Sequence, residues 1–174
     1  WDRFLVNADK KFPIKLLPDL VADYRTWEAE RQLPNGLFWQ YDVRDGMEES
    51  ISGSRTAKNI RPTINSYMFA NARAIANLAT LAGKSKLANE FTTKANELKR
   101  LTQARLWDTN ANFFKVLVAR NSSVSSVEYV LSDAREAIGY IPWMFNLPDA
   151  APAHAIAFAQ LTDPQGFSAP FGLT

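Results

Sequence analysis

The chain has 174 residues, and 20 Lys plus Arg against 18 Asp plus Glu leave a formal charge of +2. That length supports a sizeable core in one domain of ordinary size, and 47% hydrophobic with 22% charged residues excludes disorder and collagen-like repeats. The near-neutral balance argues against nucleic acid as a partner, the lack of Cys excludes a disulfide scaffold or a thiolate nucleophile, and a single His makes zinc chemistry a poor fit.

Trp1-Asp2-Arg3 shows no initiator Met or leader pattern, and Phe171-Gly172-Leu173-Thr174 stops without a cap, so the chain reads as a fragment. Pro18 is expected at the first position of a helix, with Asp19 in the turn where an acid complements the helix dipole. Leu20, Val21, Tyr24 and Trp27 form its apolar stripe, which ends at the breaker cluster Leu33-Pro34-Asn35-Gly36. From 37 to 59 there is no sustained periodicity. An irregular segment of about 20 residues is uncommon in a compact domain and is usually functional.

Pro62 restarts a helix in which Ile64, Met68, Ile75, Ala79 and Ala82 keep a 3.6-residue pattern, and Gly83 is its left-handed stop. Ser85 opens a second helix with the stripe Leu87, Phe91, Ala95, Leu98 and Leu101. Two long helices joined by about two residues must lie antiparallel, as a helical hairpin. Between 112 and 132 the pattern alternates, which predicts a β-hairpin turning at Asn121-Ser122-Ser123. That triplet is also a glycosylation sequon at Asn121, which leans toward a secreted or periplasmic setting. A short helix over 134–145 is expected to be interrupted by Pro142, and Pro152 opens another reaching Leu161. No apolar run approaches the ~18 residues of a membrane span.

Aromatic residues make up 12% of the chain, and such rings stack on sugar C–H surfaces as readily as they fill a core. The run from Phe38 through Trp39, Tyr41, Asp42, Arg44, Asp45, Gly46, Met47, Glu48 and Glu49 to Gly53 is followed by Arg61-Pro62-Thr63-Ile64-Asn65-Ser66-Tyr67-Met68 and then Leu106-Trp107-Asp108. This order resembles the six-hairpin glycoside hydrolases: trehalases, glycoside hydrolase family 63 and the mannosylglycerate-hydrolase-like group. Gly139-Tyr140-Ile141-Pro142-Trp143 and the segment 166–172 resemble loops of the same group.

The resemblance implies a mainly α fold, a partial (α/α)6 toroid of antiparallel helical hairpins with a small β-hairpin insertion near 112–132. Residues 1–174 would be the central part of one catalytic domain, incomplete at both ends. Twelve such helices need about 300–360 residues. It further implies inverting hydrolysis of α-linked glucosides or mannosides. Glu48, after Gly46 and Met47, takes the general acid's place, although trehalases carry Asp there. Glu49 and Asp45 are the fallbacks. Trp39, Tyr41, Asp42, Arg44, Asn65 and Trp143 would bind substrate, and the general base would lie beyond Thr174.

An inverting pair stands roughly 6.5–9.5 Å apart across the sugar with water between, and the side chains of consecutive residues normally diverge, so Glu48 and Glu49 are not expected to be that pair. Crowding by Asp42, Asp45 and Glu49 would keep the donor protonated near neutrality. Each residue also has a plainer role: Trp39 and Trp143 as packed rings, Asn65 as a first-turn cap, the acids as a solvated loop. No cofactor or metal is implied. The expected partners are a carbohydrate substrate and the rest of the domain or associated chains. A non-catalytic helical-hairpin scaffold that binds a glycan or a protein partner would share the amphipathic helices, but it does not require the acidic-aromatic loop.

Overall fold

The computed structural model describes residues 1–42, 50–123 and 126–173, apart from the side chains of 2, 3, 121–123, 126 and 173. Among the described residues the architecture is mainly helical with three small two-stranded antiparallel pairs, consistent with part of a helical toroid. A short α1 (Asp2–Asn7) leads into the long α2 (Lys11–Arg31). This second helix starts seven residues before the expected Pro18, which lies inside it on an exposed face. A proline there loses one helical hydrogen bond, but on the solvent side water can satisfy the carbonyl left without a donor. Burial of Pro13, Leu17, Val21 and Tyr24 fixes the helix's orientation instead, and Leu20, expected in the stripe, is 39% exposed.

The hairpin of α3 (Pro62–Leu81) and α4 (Ser85–Leu106) matches its expected boundaries. Pro62 stands at the first helical position, where the missing N–H costs nothing, and Gly83 adopts φ +69° as the stop. Small residues, Ala72, Ala76 and Ala79 on α3 with Ala88 and Ala95 on α4, form part of one core with Ile64, Met68, Ile75, Phe91 and Leu98. Tyr24 of α2 enters this core edge-on to both Phe91 (5.1 Å) and Phe38 (6.4 Å). Burial, followed by the nearby Glu28 charge, pushes its phenol far above the usual range.

After α4, β1 (Trp107–Asp108) pairs antiparallel with β2 (Phe113–Phe114), and β3 (Leu117–Ser123) with β4 (Ser126–Leu131). The expected insertion is thus present, but Asn121-Ser122-Ser123 belongs to β3 rather than to the turn, and the hairpin closes at the Ser123–Ser126 pair. A register irregularity between Arg120 and Ser123 takes up the difference. Strict alternation fails earlier too, because Val116 and Leu117 are both buried where the chain passes from β2 into β3.

Pro142 does not interrupt its helix. A 3-10 turn (Ala137–Tyr140) runs into α5 (Ile141–Met144), with the proline in the first turn, where it is tolerated. Helix α6 (Pro152–Ala155) continues as a 3-10 turn (Ile156–Leu161), and β5 (Ser168–Ala169) pairs with β6 (Gly172–Leu173). Among the described residues no helix is long and apolar enough to cross a membrane, and no three His, Asp or Glu side chains group as metal ligands.

Candidate active site

The segment after α2 is extended and buried. Trp39 bridges to Ile60, and Ile60 bridges in turn to Leu117, exchanging N–H···O bonds of 3.0 and 2.9 Å with it. A second core of Leu37, Ile60, Leu106, Phe114 and Leu117 lies beneath. Thus the approach to 43–49, the return from it and the strand hairpin are joined side by side. Arg44, Asp45, Glu48 and Glu49 lie outside the described residues.

Both flanks of that stretch meet at one polar knot. The Arg61 guanidinium donates to Asp42 Oδ1 at 3.1 Å and to the Ser50 hydroxyl at 3.0 Å. Ser50 closes the circuit, its hydroxyl donating to Asp42 Oδ1 (3.1 Å) and its N–H to Oδ2 (3.2 Å). The Arg61 and Asp42 side chains are 0% and 5% exposed, so removing Arg61 would leave the Asp42 carboxylate buried without this cation. Gly53 is a glycine for space: a Cβ would lie 2.1 Å from Asp42 Oδ2 and 2.4 Å from Ser50 Oγ. Farther along the return, the Glu136 carboxylate accepts the N–H groups of Ile51 (2.8 Å) and Ser52 (3.2 Å) and the Ser52 hydroxyl. Asn59 ties the return to β3, its Nδ2 donating to Ser52 O and its Oδ1 accepting from Ala119 N–H, both at 3.0 Å.

The residues expected to bind sugar separate into three groups. Asp42 is turned inward, its carboxylate paired with the Arg61 guanidinium. Asn65, also expected on the pocket wall, is buried: its Oδ1 accepts Phe38 N–H, and its Nδ2 donates to Phe38 O and Arg61 O, each at 2.9 Å. Its amide is occupied in fixing the Phe38 backbone, so the side chains of Asp42 and Asn65 are both engaged inside the fold.

Trp39 and Tyr41 stay together, edge to face at 4.8 Å. Trp39 is 6% exposed, with the Arg31 guanidinium 4.3 Å and the Lys58 ammonium 4.8 Å from its ring centre. Half-buried Trp143 belongs to an aromatic group with Trp107, Phe114, Tyr140 and Phe158, at 5.2–6.2 Å. A hollow of about 410 Å³ adjoins the stapled return, between Ser52, Gly53, Ser54 and Asn59 on one side and Val118, Arg120 and Asp133 on the other.

Sequence reasoning missed Arg61 and Glu136 as the holders of this segment. Arg61 could have been suspected as a cation beside the helix-opening Pro62. Glu136 pairs across 84 and 85 positions, for which no local signal exists.

Residues 1–174 match the mannosylglycerate hydrolase MGH1-like glycoside hydrolase domain family. A solved structure named "Sialidase" is 45% identical with a TM-score of 0.89, the match covering 99% of this chain and 15% of that one. The chain therefore spans about 15% of that protein's length. No curated protein matches it.

Proposed function

The chain belongs to the mannosylglycerate hydrolase MGH1-like glycoside hydrolase domain family, and from that premise we propose that it presents the general acid of an inverting glycosidase acting on α-linked mannosides or glucosides. Glu48 donates the proton to the leaving oxygen, with Glu49 and Asp45 as the other candidates in the same stretch. The general base comes from a part of the domain outside these residues. The observation that supports this most is the knot of Arg61, Asp42 and Ser50, which joins the two ends of the acid-bearing stretch within hydrogen-bond distance. A proton donor must be held at a defined place beside the scissile oxygen, whereas a solvated loop needs no buried ion pair at its ends. Tyr41 and Trp143 supply partly open rings for the sugar; Arg44 is a candidate ligand for its hydroxyls.

The whole protein, incubated with α-mannosides and α-glucosides and followed by proton NMR at early times, tests this reading. Release of the β-anomer of the free sugar is expected. Release of the α-anomer would contradict inversion, and no turnover of either class, alongside release of neuraminic acid from sialosides, would replace the substrate. Binding of glycans without any hydrolysis would favour the scaffold reading.

A further inference from the structure

We propose that Glu136 is a positioning residue for the acid-bearing stretch, an inference that rests on the reading of Glu48 as proton donor. Its half-buried carboxylate serves three donors on two successive residues: Ile51 N–H, Ser52 N–H and the Ser52 hydroxyl. An ionised carboxylate accepts only, with room for about four bonds, and its charge makes each of them stronger. Ser52 is gripped at its remaining polar group as well, since Asn59 donates to its carbonyl. A residue bonded at N–H, O–H and C=O leaves little slack for the chain beside it.

The post that carries the carboxylate is itself fixed. Glu136 heads the 3-10 turn Ala137–Tyr140, and its carbonyl accepts the Gly139 N–H at 2.8 Å. That turn lies tight on β2, where a Cβ at Gly139 would fall 2.3 Å from both the Phe113 ring and the Phe114 carbonyl. Next door, Arg135 donates to Gln160 Oε1 (2.8 Å) and to the Gln165 carbonyl (2.7 Å). Glu136 therefore refers the return of the acid-bearing stretch to the C-terminal aromatic part of the fold, as Arg61 refers both its ends to α3.

The test uses the whole protein and a pair of substrates, methyl and dinitrophenyl α-mannoside, or the α-glucoside pair if glucose is the preferred sugar. Glu136→Gln keeps the shape but turns an NH2 group toward one of the donors. With a misplaced donor, kcat for the methyl glycoside should fall about 10- to 100-fold. The dinitrophenyl glycoside, whose leaving group departs without protonation, should keep its rate. Ser52→Ala, which removes a single hydroxyl, should show the same pattern more weakly and guards against a folding defect in Glu136→Gln. Equal losses on both substrates in both variants would mean a merely structural residue, and no loss on either would remove Glu136 from the mechanism. Glu48→Gln on the same pair separates the two ideas. If it shows no dependence on the leaving group, the donor assignment fails and this inference with it; if it does and Glu136→Gln does not, only the inference fails.

Discussion

The α3–α4 hairpin and the stapled segment around Asp42 are both buried, yet opposite kinds of interaction hold them. In the hairpin, Ile64, Met68 and Ile75 share one core with Phe91, Ala95 and Leu98, and each contact has neighbours that go on excluding water if it is lost. Around Asp42 the Arg61 guanidinium, the Asp42 carboxylate and the Ser50 hydroxyl close the chain on itself. Apolar burial is non-directional and redundant, so it can place a helix but not aim a side chain. Directional polar bonds fix orientation as well as position.

Breaking the knot should have the largest effect. Arg61→Ala leaves the Asp42 carboxylate buried without its cation and should destabilise the fold by about 3–5 kcal/mol, read from urea unfolding of the whole protein. The double replacement Arg61→Met with Asp42→Leu should recover much of that stability without recovering turnover. Full activity in the double variant would show that the knot does not position the site. Leu98→Ala, on the other side of the comparison, should cost about 3 kcal/mol while kcat stays unchanged below the melting temperature. If its kcat fell as far as that of the knot variants, the two regions would not be functionally distinct.

Gly53→Ala should cost about 1–3 kcal/mol through overpacking against Asp42 and Ser50. Its activity loss should exceed that of Leu98→Ala despite the smaller destabilisation, measured by paired melts and rates. The smallest effect concerns Asp108, at the junction of β1 and β2. Burial pushes its carboxyl up, but the Lys115 ammonium 2.9 Å away and the N–H groups of Ala111 and Asn110 outweigh this and hold it below its usual value. A carboxyl depressed in the folded state contributes stability that is complete above its unfolded pKa of about 4, and that stability disappears as pH falls through the folded value. Asp108→Asn should therefore flatten the loss of thermal stability below about pH 4, and an unchanged acid limb would rule out the pairing.

The same contrast explains what the sequence made legible. The α3–α4 hairpin could be read because its signals are local: Pro62 at the start, Gly83 at the stop and apolar residues at helical spacing between. Pro18 misled because burial of Pro13 and Leu17 against the core overrides a local start signal, and Asn121-Ser122-Ser123 misled because a register irregularity moves the turn onward. Within the site, the segment 38–42 was marked out by its aromatic and acidic residues. The inward aim of Asp42 was not, because it depends on Arg61 nineteen positions later. Asn65 was placed on the right helix turn, but its amide faces the Phe38 backbone, a contact only the assembled chain creates. Glu136 carried no signal at all, since a lone carboxylate 84 residues away reads as surface charge.

Glu48→Gln in the whole protein is the most direct measurement of the central assignment. Hydrolysis of an alkyl glycoside by the folded variant should fall about 10²- to 10⁴-fold. Wild-type turnover by the substituted protein would contradict the account.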